Sequence, residues 1–484
     1  MKLLIRPSPE VVIKSKPVRR LQMRLLRQNI RKLAARLDPS VSVDGTWDRV
    51  EVEWPDHNPL ISPMLELLCR TPGISTIQEI SDYPLTDLDD IADKAVAAFR
   101  DRLQGRTFAV RTRRQGSHWF SSGEVERQVG RVLLEQTDAR GVNLKSPDVE
   151  VRIAIRDDQF HISHRKHRGL GGYPLGSVES VLTLISGGYD SSVAAYLMMR
   201  RGIRSHFLFF NLGGDAHEVG VRQVVSHLWN RYGASHSVKF ISVPFDGVVA
   251  EIMTSVDHRY WGVVLKRQML KAACELAGSN NAAGLVTGDA VAQVSSQTLT
   301  NLNVVDRAST EVVLRPLISM DKEQIIRLAT EIGTEAFARN MPEYCGVISQ
   351  KPVTRARLHQ AETEEARMNP AALTGALARR TELPVSRLMD STLTPEDVEL
   401  VQTPAVSDII IDVRHPDEGD RSPLTLTNNK VIRIPFYELN RQMPDLPRDC
   451  QYLLYCDRGT MSRMHAGHLK AGGHENVKVY APGH

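Results

Sequence analysis

No apolar run in the sequence reaches the eighteen or so residues that a membrane span requires, so no crossing helix is expected in its 484 residues. The opening Met-Lys-Leu-Leu-Ile-Arg-Pro offers three apolar residues before a charge and a proline. That is too few for the apolar region of a secretory leader, and a cytoplasmic location is the expectation. Cysteine is scarce. Cys69, Cys274, Cys345, Cys450 and Cys456 form an odd set without a CxxC pair, which argues against a disulfide framework and against a thiolate zinc site. Any disulfide here is expected to be transient chemistry. The sequence also lacks GxxxxGK followed by Ser or Thr, which excludes a Walker-type kinase or GTPase loop, and it shows no repeat in the solenoid range.

Acid is the next shortage. Positions 1–36 hold eleven Lys and Arg against Glu10 alone, whereas positions 389–420 hold nine acids against Arg414. A basic arm of this kind reads as a polyanion footprint. The acidic stretch reads as plain soluble surface, with a docking face for a basic partner as the alternative. From Pro17 to Leu37 the apolar residues Val18, Leu21, Leu25, Leu26, Ile30, Leu33 and Leu37 recur at steps of mostly three or four, which predicts a helix with one buried stripe. Arg19, Arg20, Arg24 and Arg27, with Arg31 and Lys32, then fall on its outer face. The competing reading is an ordinary solvated helix face.

Otherwise the composition is that of a soluble globular chain, with 42% hydrophobic and 24% charged residues, and the length predicts roughly three domains. Strand, helix, two strands, helix and strand over residues 1–75 fit a small α+β sandwich of ferredoxin-like type. A second α+β unit follows over 76–168, with Arg111 and Arg113 (and Arg114) on one strand and Arg165, Lys166 and Arg168 after another. Gly169, Gly171, Gly172, Pro174 and Gly176 read as a linker, since no strand and helix frame them as a dinucleotide fingerprint would require. From Ser180 strands and helices alternate in a parallel, doubly wound α/β pattern within a unit spanning 173–395. Residues 352–404 look helical, polar and proline-broken, and are expected to serve as a connector. A last small α/β unit covers 404–484.

Two constellations carry chemistry. After the apolar strand Val181–Ile185 comes Ser186-Gly187-Gly188-Tyr189-Asp190-Ser191 and then a helix. Glycines let the backbone approach a ligand, and the helix start presents unpaired N–H groups to phosphate. The alternative is a plain βα turn with Ser191 as helix cap. Near the C-terminus, the strand Gln451–Tyr455 runs into Cys456-Asp457-Arg458-Gly459-Thr460-Met461-Ser462-Arg463 and a helix. Such a loop aims N–H groups and a helix N-terminus at the sulfur and adds the charge of Arg458 and Arg463, an arrangement suited to a thiolate or persulfide anion. Cys345, in Met341-Pro342-Glu343-Tyr344-Cys345-Gly346-Val347, lies between helix breakers that would leave its thiol accessible. Cys69 and Cys274 sit among apolar helix residues and read as core; Cys450, outside the loop, reads as structural.

SGGxDS resembles the loop of the PP-loop ATP pyrophosphatases, enzymes that adenylate a carbonyl oxygen and expel pyrophosphate. The match, carried over position by position, implies Leu184 and Ile185 beside the adenine. It implies Ser186, Gly187, Gly188 and Ser191 around the phosphates, and Lys266, Gly288 and Gln297 also touching ATP. Asp190 and Lys322 would handle pyrophosphate and its Mg2+, with no resident metal site in the protein. Ile409–Arg414 followed by His415-Pro416-Asp417-Glu418 resembles the start of rhodanese domains. A related cysteine phosphatase would carry arginine where Ser462 stands, so sulfur transfer is favoured.

The whole order of parts resembles the bacterial tRNA 4-thiouridine synthetases in their long form. These comprise a ferredoxin-like domain, an RNA-binding THUMP domain, a doubly wound parallel-sheet PP-loop domain and a rhodanese-like domain. The resemblance implies adenylation of O4 of uridine 8 in tRNA and a persulfide on Cys456 loaded by a cysteine desulfurase. It further implies a redox disulfide between Cys345 and Cys456 reset by a cellular thiol reductant, and a homodimer. It also implies sulfur supply, through a sulfur-carrier protein, for the thiazole of thiamine. Arg19, Arg20, Arg24, Arg27, Arg111 and Arg113 would hold the tRNA. Two other readings stay open: a PP-loop synthetase that adenylates a small molecule, and an RNA-binding redox sensor.

Overall fold

The structure is a computed structural model. It describes residues 2–54, 60–212, 214–339, 341, 352–389, 398–414, 419–420, 422–435, 439, 442–457, 459–471 and 473–482. The chain forms two units, Met1–Val178 with Met199–Ile203, and Glu179–Met198 with Arg204–His484.

The first unit opens with β1 (Lys2–Pro7), α1 (Pro9–Val12), α2 (Lys16–Leu37), β2 (Ser42–Gly45), β3 (Val50–Glu53), α3 (Ile61–Cys69) and β4 (Ile74–Pro84). The order β2-β3-β1-β4 with antiparallel neighbours is the ferredoxin-like arrangement. It continues through α4 (Leu88–Leu103), β5 (Thr107–Gln115), α5 (Ser122–Gln136), β6 (Gly141–Val142), β7 (Val149–Arg156) and β8 (Gln159–Arg168). β4 pairs with β1 on one side and β8 on the other, so a single eight-stranded sheet, β2-β3-β1-β4-β8-β7-β5-β6, spans both halves. A division at residue 75 falls inside β4. Two separate apolar clusters pack on this sheet, one around Leu3, Leu26 and Ile30 and one around Phe99, Val129 and Ile153. β7 shows why the sheet has a buried face: Val149, Val151, Ile153 and Ile155 alternate with more exposed partners. The cations at the end of β8 lie within the strand, Lys166 opposite Gln78 and Arg165 opposite Glu79, where the sequence reading sets them just after it.

α2 is a helix, but its buried stripe is rotated from the predicted one. Met23, Leu26, Ile30 and Ala34 are buried with Gln22 and Asn29, while Val18, Leu21 and Leu37 are exposed. Hydrogen bonding sets this rotation: Arg27 and Arg31 donate to the carbonyls of Gly45 (2.8 Å) and Val43 (2.7 Å), and Asn29 donates to Leu175 O at 2.9 Å. Periodicity cannot see those polar partners. The glycine-rich segment is likewise bound rather than loose, with the amides of Gly169 and Gly171 donating to Ser75 O and Ile74 O at 2.8 and 2.7 Å.

The second unit holds a six-stranded sheet, β13-β12-β9-β10-β11-β14. Its strands are β9 (Val178–Leu184), β10 (Ile203–Asn211), β11 (Lys239–Pro244), β12 (Ala282–Val286), β13 (Val313–Leu314) and β14 (Thr381–Pro384). The helices are α6 (Tyr189–Arg200), α7 (Gly214–Leu228), α8 (Asp246–Ser255), α9 (Trp261–Ser279), α10 (Leu299–Asp306), α11 (Lys322–Ile332), α12 (Glu335–Ala338), α13 (Leu358–Glu365) and α14 (Ala371–Ala378). β14 is antiparallel to β11; the recorded pairings of β12 with β9 and β13, and of β10 with β11, are parallel. Its core joins Leu208, Ile241, Val264 and Leu285 to Ala361, Ala376 and Leu377.

That last group corrects the connector reading, because residues 356–388 belong to the α/β unit and supply its edge strand. Their alanines are small enough to disappear into a stretch that looks polar. The segment is also clamped: Glu365 accepts from Arg267 (2.9 Å), Lys271 (2.9 Å) and Gln268 (3.1 Å) on α9, and both members of the Arg267–Glu365 pair are buried. Burial alone would push this carboxyl up, but the hydrogen bonds and charges of Arg267 and Lys271 hold it below its usual range. A carboxylate whose folded pKa is depressed contributes stability above its unfolded pKa and loses it as pH falls through the folded value. Glu365→Ala should therefore cost about 3–5 kcal/mol at neutral pH by stranding buried Arg267, with a smaller difference in acid, as checked by denaturant unfolding at both pH values.

The C-terminal part is a parallel sheet, β15-β19-β18-β16-β17. It is built from β15 (Leu400–Val401), β16 (Ile409–Asp412), β17 (Lys430–Arg433), β18 (Tyr452–Tyr455) and β19 (Val477–Tyr480), with α15 (Thr460–Ala471). Among the described residues no helix is long and apolar enough to cross a membrane.

Candidate active site

β9 delivers the chain into the loop 186–188, and α6 begins at Tyr189, so Asp190 and Ser191 lie in its first turn. The loop folds on itself: Ser186 N–H and Ser186 Oγ both lie 3.1 Å from Ser191 Oγ, and Ser192 Oγ donates to Gly188 O at 2.8 Å. Gly187 takes φ +81, which side chains with a β-carbon rarely adopt. Leu184 is half-buried and Ile185 buried, and the Ile185 amide donates to Leu208 O at 2.9 Å. His217, buried on α7, places Nε2 3.3 Å from Ser186 O.

Asp190 faces two donors. Lys322 Nζ, at the start of α11, lies 2.8 Å from one carboxylate oxygen, and Gln293 Nε2 lies 2.9 Å from the other. Beyond the end of β12, Gly288 abuts the same turn, since a β-carbon there would stand 2.7 Å from Asp190 C and Ser191 N. Its neighbour Asp289 collects the remaining predicted residues. Lys266 Nζ (2.7 Å) and Gln297 Nε2 (3.0 Å) share one oxygen, and Thr287 Oγ1 (2.7 Å) and Arg315 Nε (3.3 Å) share the other. Burial works to raise the Asp289 carboxyl, and the charge of Lys266 with these hydrogen bonds holds it well below the carboxylate range. The fold thus gathers Asp190, Lys322 and Gly288 around one turn and sets Lys266 and Gln297 on one buried anion. Sequence reasoning marked the Thr287-Gly288-Asp289 and Arg315-Pro316-Leu317 stretches but gave Asp289 and Arg315 no role, and it missed Gln293.

Cys456 follows β18 and is buried, 6% exposed. The Ser462 amide, in the first turn of α15, points at its sulfur from 3.3 Å, and Ser462 Oγ is 3.4 Å away. In sequence Ser462 stands out only as not arginine; in the fold its amide is a donor to the sulfur. Beneath the loop, Arg414 donates to both oxygens of Asp412 (2.9 and 2.7 Å) and to Asp457 (2.8 Å), pinning the residue after Cys456. Cys345, Arg458 and 415–418 lie outside the described residues. Among those described, Cys69, Cys274, Cys450 and Cys456 are free thiols.

Of the basic residues, Arg20 and Arg24 are exposed on α2. Arg19 lies over the Trp47 ring at 4.5 Å, and Arg27 is committed to Gly45 O. On β5, Arg113 is exposed and Arg111 donates to Leu144 O.

A THUMP domain matches residues 86–165, and the family described as Thiamine biosynthesis protein (ThiI) matches residues 176–369. A THUMP-bearing half followed by an α/β unit that matches the ThiI family defines an RNA-modifying enzyme of the ThiI class. A tRNA sulfurtransferase of Marinobacter nauticus is 73% identical over 482 residues, and those of Azotobacter vinelandii and Pseudomonas aeruginosa are 50% and 51% identical over 483, covering 100% of both chains in each case. The chain belongs to the tRNA sulfurtransferase family. In fold it is similar to a 4-thiouridine synthetase crystallised with RNA and bound ATP, with TM-score 0.71, 23% identity, and 79% of this chain and 99% of that one covered. It is also similar in fold to PH1313 from Pyrococcus horikoshii, with TM-score 0.54, 21% identity, and 69% and 100% covered.

Proposed function

We propose that this tRNA sulfurtransferase converts uridine 8 of tRNA to 4-thiouridine, using ATP at the 186–191 loop and a persulfide on Cys456. The single observation that carries the reading is the Asp190 turn, a glycine loop at a helix start with Lys322 on its carboxylate. O4 of the uridine attacks the α-phosphorus of ATP; an O–P bond forms and pyrophosphate departs. Leu184 and Ile185 would flank the adenine, and Ser186, Gly187, Gly188 and Ser191 would line the phosphates. Lys322 would balance pyrophosphate charge, and Lys266, Gly288 and Gln297 would complete the wall. Mg2+ neutralises phosphate charge when bound. Asp190 is the carboxylate of the turn that would meet it, and a metal arriving on the nucleotide needs few protein ligands.

Sulfur reaches Cys456 from a cysteine desulfurase, in a rhodanese-like C-terminal domain whose loop amides hold the anion. The terminal persulfide sulfur bonds to C4, and AMP leaves carrying the former O4. Cys345 then attacks Cys456 Sγ, the electron pair of the broken S–S bond stays with the sulfur on C4, and a Cys345–Cys456 disulfide remains for a thiol reductant. If Cys345 attacks first, hydrosulfide is freed and adds to C4; the products are the same. The same domain would pass sulfur to the sulfur-carrier protein of thiazole synthesis. The reading carries a cytoplasmic location and a homodimer. With O4 of the uridine labelled with oxygen-18, the label should emerge in AMP. Label retained in RNA while ATP is split would overturn the adenylation step.

Arg19, Arg20, Arg24, Arg27, Arg111 and Arg113 would contact the tRNA backbone. Because Arg20 and Arg24 are exposed while Arg19 and Arg27, the other proposed contacts on α2, are only partly so, reversing both to glutamate should weaken tRNA binding about ten-fold or more near 0.1 M salt and flatten the salt dependence. Filter binding across a salt series checks this; an unchanged slope would make that face merely solvated.

A further inference from the structure

We propose that Gln293 is a positioning residue of the adenylation site, aimed by a strained turn to hold Asp190 in a single orientation. The inference rests on the adenylation reading and deepens it. Ala292 has φ +62, in the left-handed region that a residue with a β-carbon occupies at a cost. Such outliers persist where surroundings enforce them, and they gather at functional sites. Here the surroundings are specific. The Val291 amide donates to Ile318 O at 3.1 Å, the Ala292 amide to Gln297 O at 2.9 Å, and the Gln297 amide to Val294 O at 2.9 Å. The Gln297 side chain is itself fixed on Asp289. The turn is therefore anchored on both sides, and what it projects is the Gln293 amide, 2.9 Å from the Asp190 oxygen that Lys322 leaves open.

The chemistry of the two donors differs. Lys322 brings a charge, whereas an amide adds a second hydrogen bond to the carboxylate without a second positive charge. Asp190 is held between them yet keeps its remaining lone pairs for a cation or a water. A glutamine is exposed at this point, so it can be replaced without opening a core.

The test is tRNA-dependent pyrophosphate release by the full-length protein with MgATP, comparing wild type with Gln293→Ala, Gln293→Glu and Ala292→Gly. Gln293→Ala should lower kcat on the order of ten- to hundred-fold, with KM for ATP and tRNA affinity unchanged. Gln293→Glu keeps the length of the side chain but replaces the donor with a like charge facing Asp190, so its kcat should fall at least as far as that of Gln293→Ala with KM for ATP again unchanged; a merely structural role would not split kcat from KM. Ala292→Gly, which relaxes the backbone and keeps the amide, should hold the wild-type rate. Wild-type turnover by Gln293→Ala, or by Gln293→Glu, overturns the proposal alone. Absence of tRNA-dependent pyrophosphate release by the wild type overturns the adenylation reading and this inference with it.

Discussion

Cys456→Ala should leave ATP cleavage running and end sulfur transfer, a loss on the order of 10⁴-fold or more, since a covalent carrier has no partial substitute. The sulfur lies at the foot of α15, with the Ser462 amide 3.3 Å and the Ser462 hydroxyl 3.4 Å away. The amide favours an anionic sulfur and belongs to the backbone, so it survives any side-chain change. Ser462→Ala should accordingly be the mild counterpart, less than about ten-fold slower in transfer, because the hydroxyl donates its hydrogen to Gly459 O at 3.0 Å and the amide at the sulfur stays. Pyrophosphate release and thionucleoside yield, measured side by side, separate the steps. Transfer undiminished in Cys456→Ala would remove this cysteine from its role.

Gly288→Ala should disable adenylation from the other side of the molecule's chemistry. A β-carbon there would stand 2.7 Å from Asp190 C and from Ser191 N, both backbone atoms that cannot swing aside as a side-chain tip can. The turn must shift, and a displacement approaching 1 Å at reacting groups costs on the order of 10²-fold, equivalent to about 2.7 kcal/mol. Gly278→Ala, on α9 and outside the site, is the internal control. Its added carbon would meet nothing within 4 Å. ATP-dependent pyrophosphate release should fall about a hundred-fold in the first and much less in the second; equal effects would mean that packing against the turn is not what Gly288 supplies.

The glycine turn and the cysteine loop were legible because each is local, an apolar strand, a short stretch of glycine or cysteine, and a helix, built from neighbours in sequence. What escaped was long-range. Gln293 meets Asp190 across 103 positions, and Asp289 draws in Lys266 and Arg315, 23 and 26 positions away. No pattern within a window reports such pairings. The rotated stripe of α2 has the same origin, since polar Asn29 is buried against a partner, Leu175 O, that periodicity does not count. The stretch after residue 352 misled for a different reason: Ala361 and Ala376 bury completely, yet alanine gives a weak apolar signal among glutamates and arginines. The continuous sheet through β4 could not be inferred from strands read one by one, because an eleven-residue strand can end one domain or be shared by two.

Sulfur delivery to uridine is the central claim, and nucleoside mass spectrometry tests it most directly. An unmodified tRNA transcript would be incubated with the protein, MgATP, cysteine, a cysteine desulfurase and a thiol reductant, then digested and analysed. The account predicts 4-thiouridine that appears only with ATP and disappears in Cys456→Ala. ATP split without any thionucleoside would contradict it in favour of a synthetase acting on a small molecule. Neither product, with tRNA still bound, would leave an RNA-binding redox protein in its place.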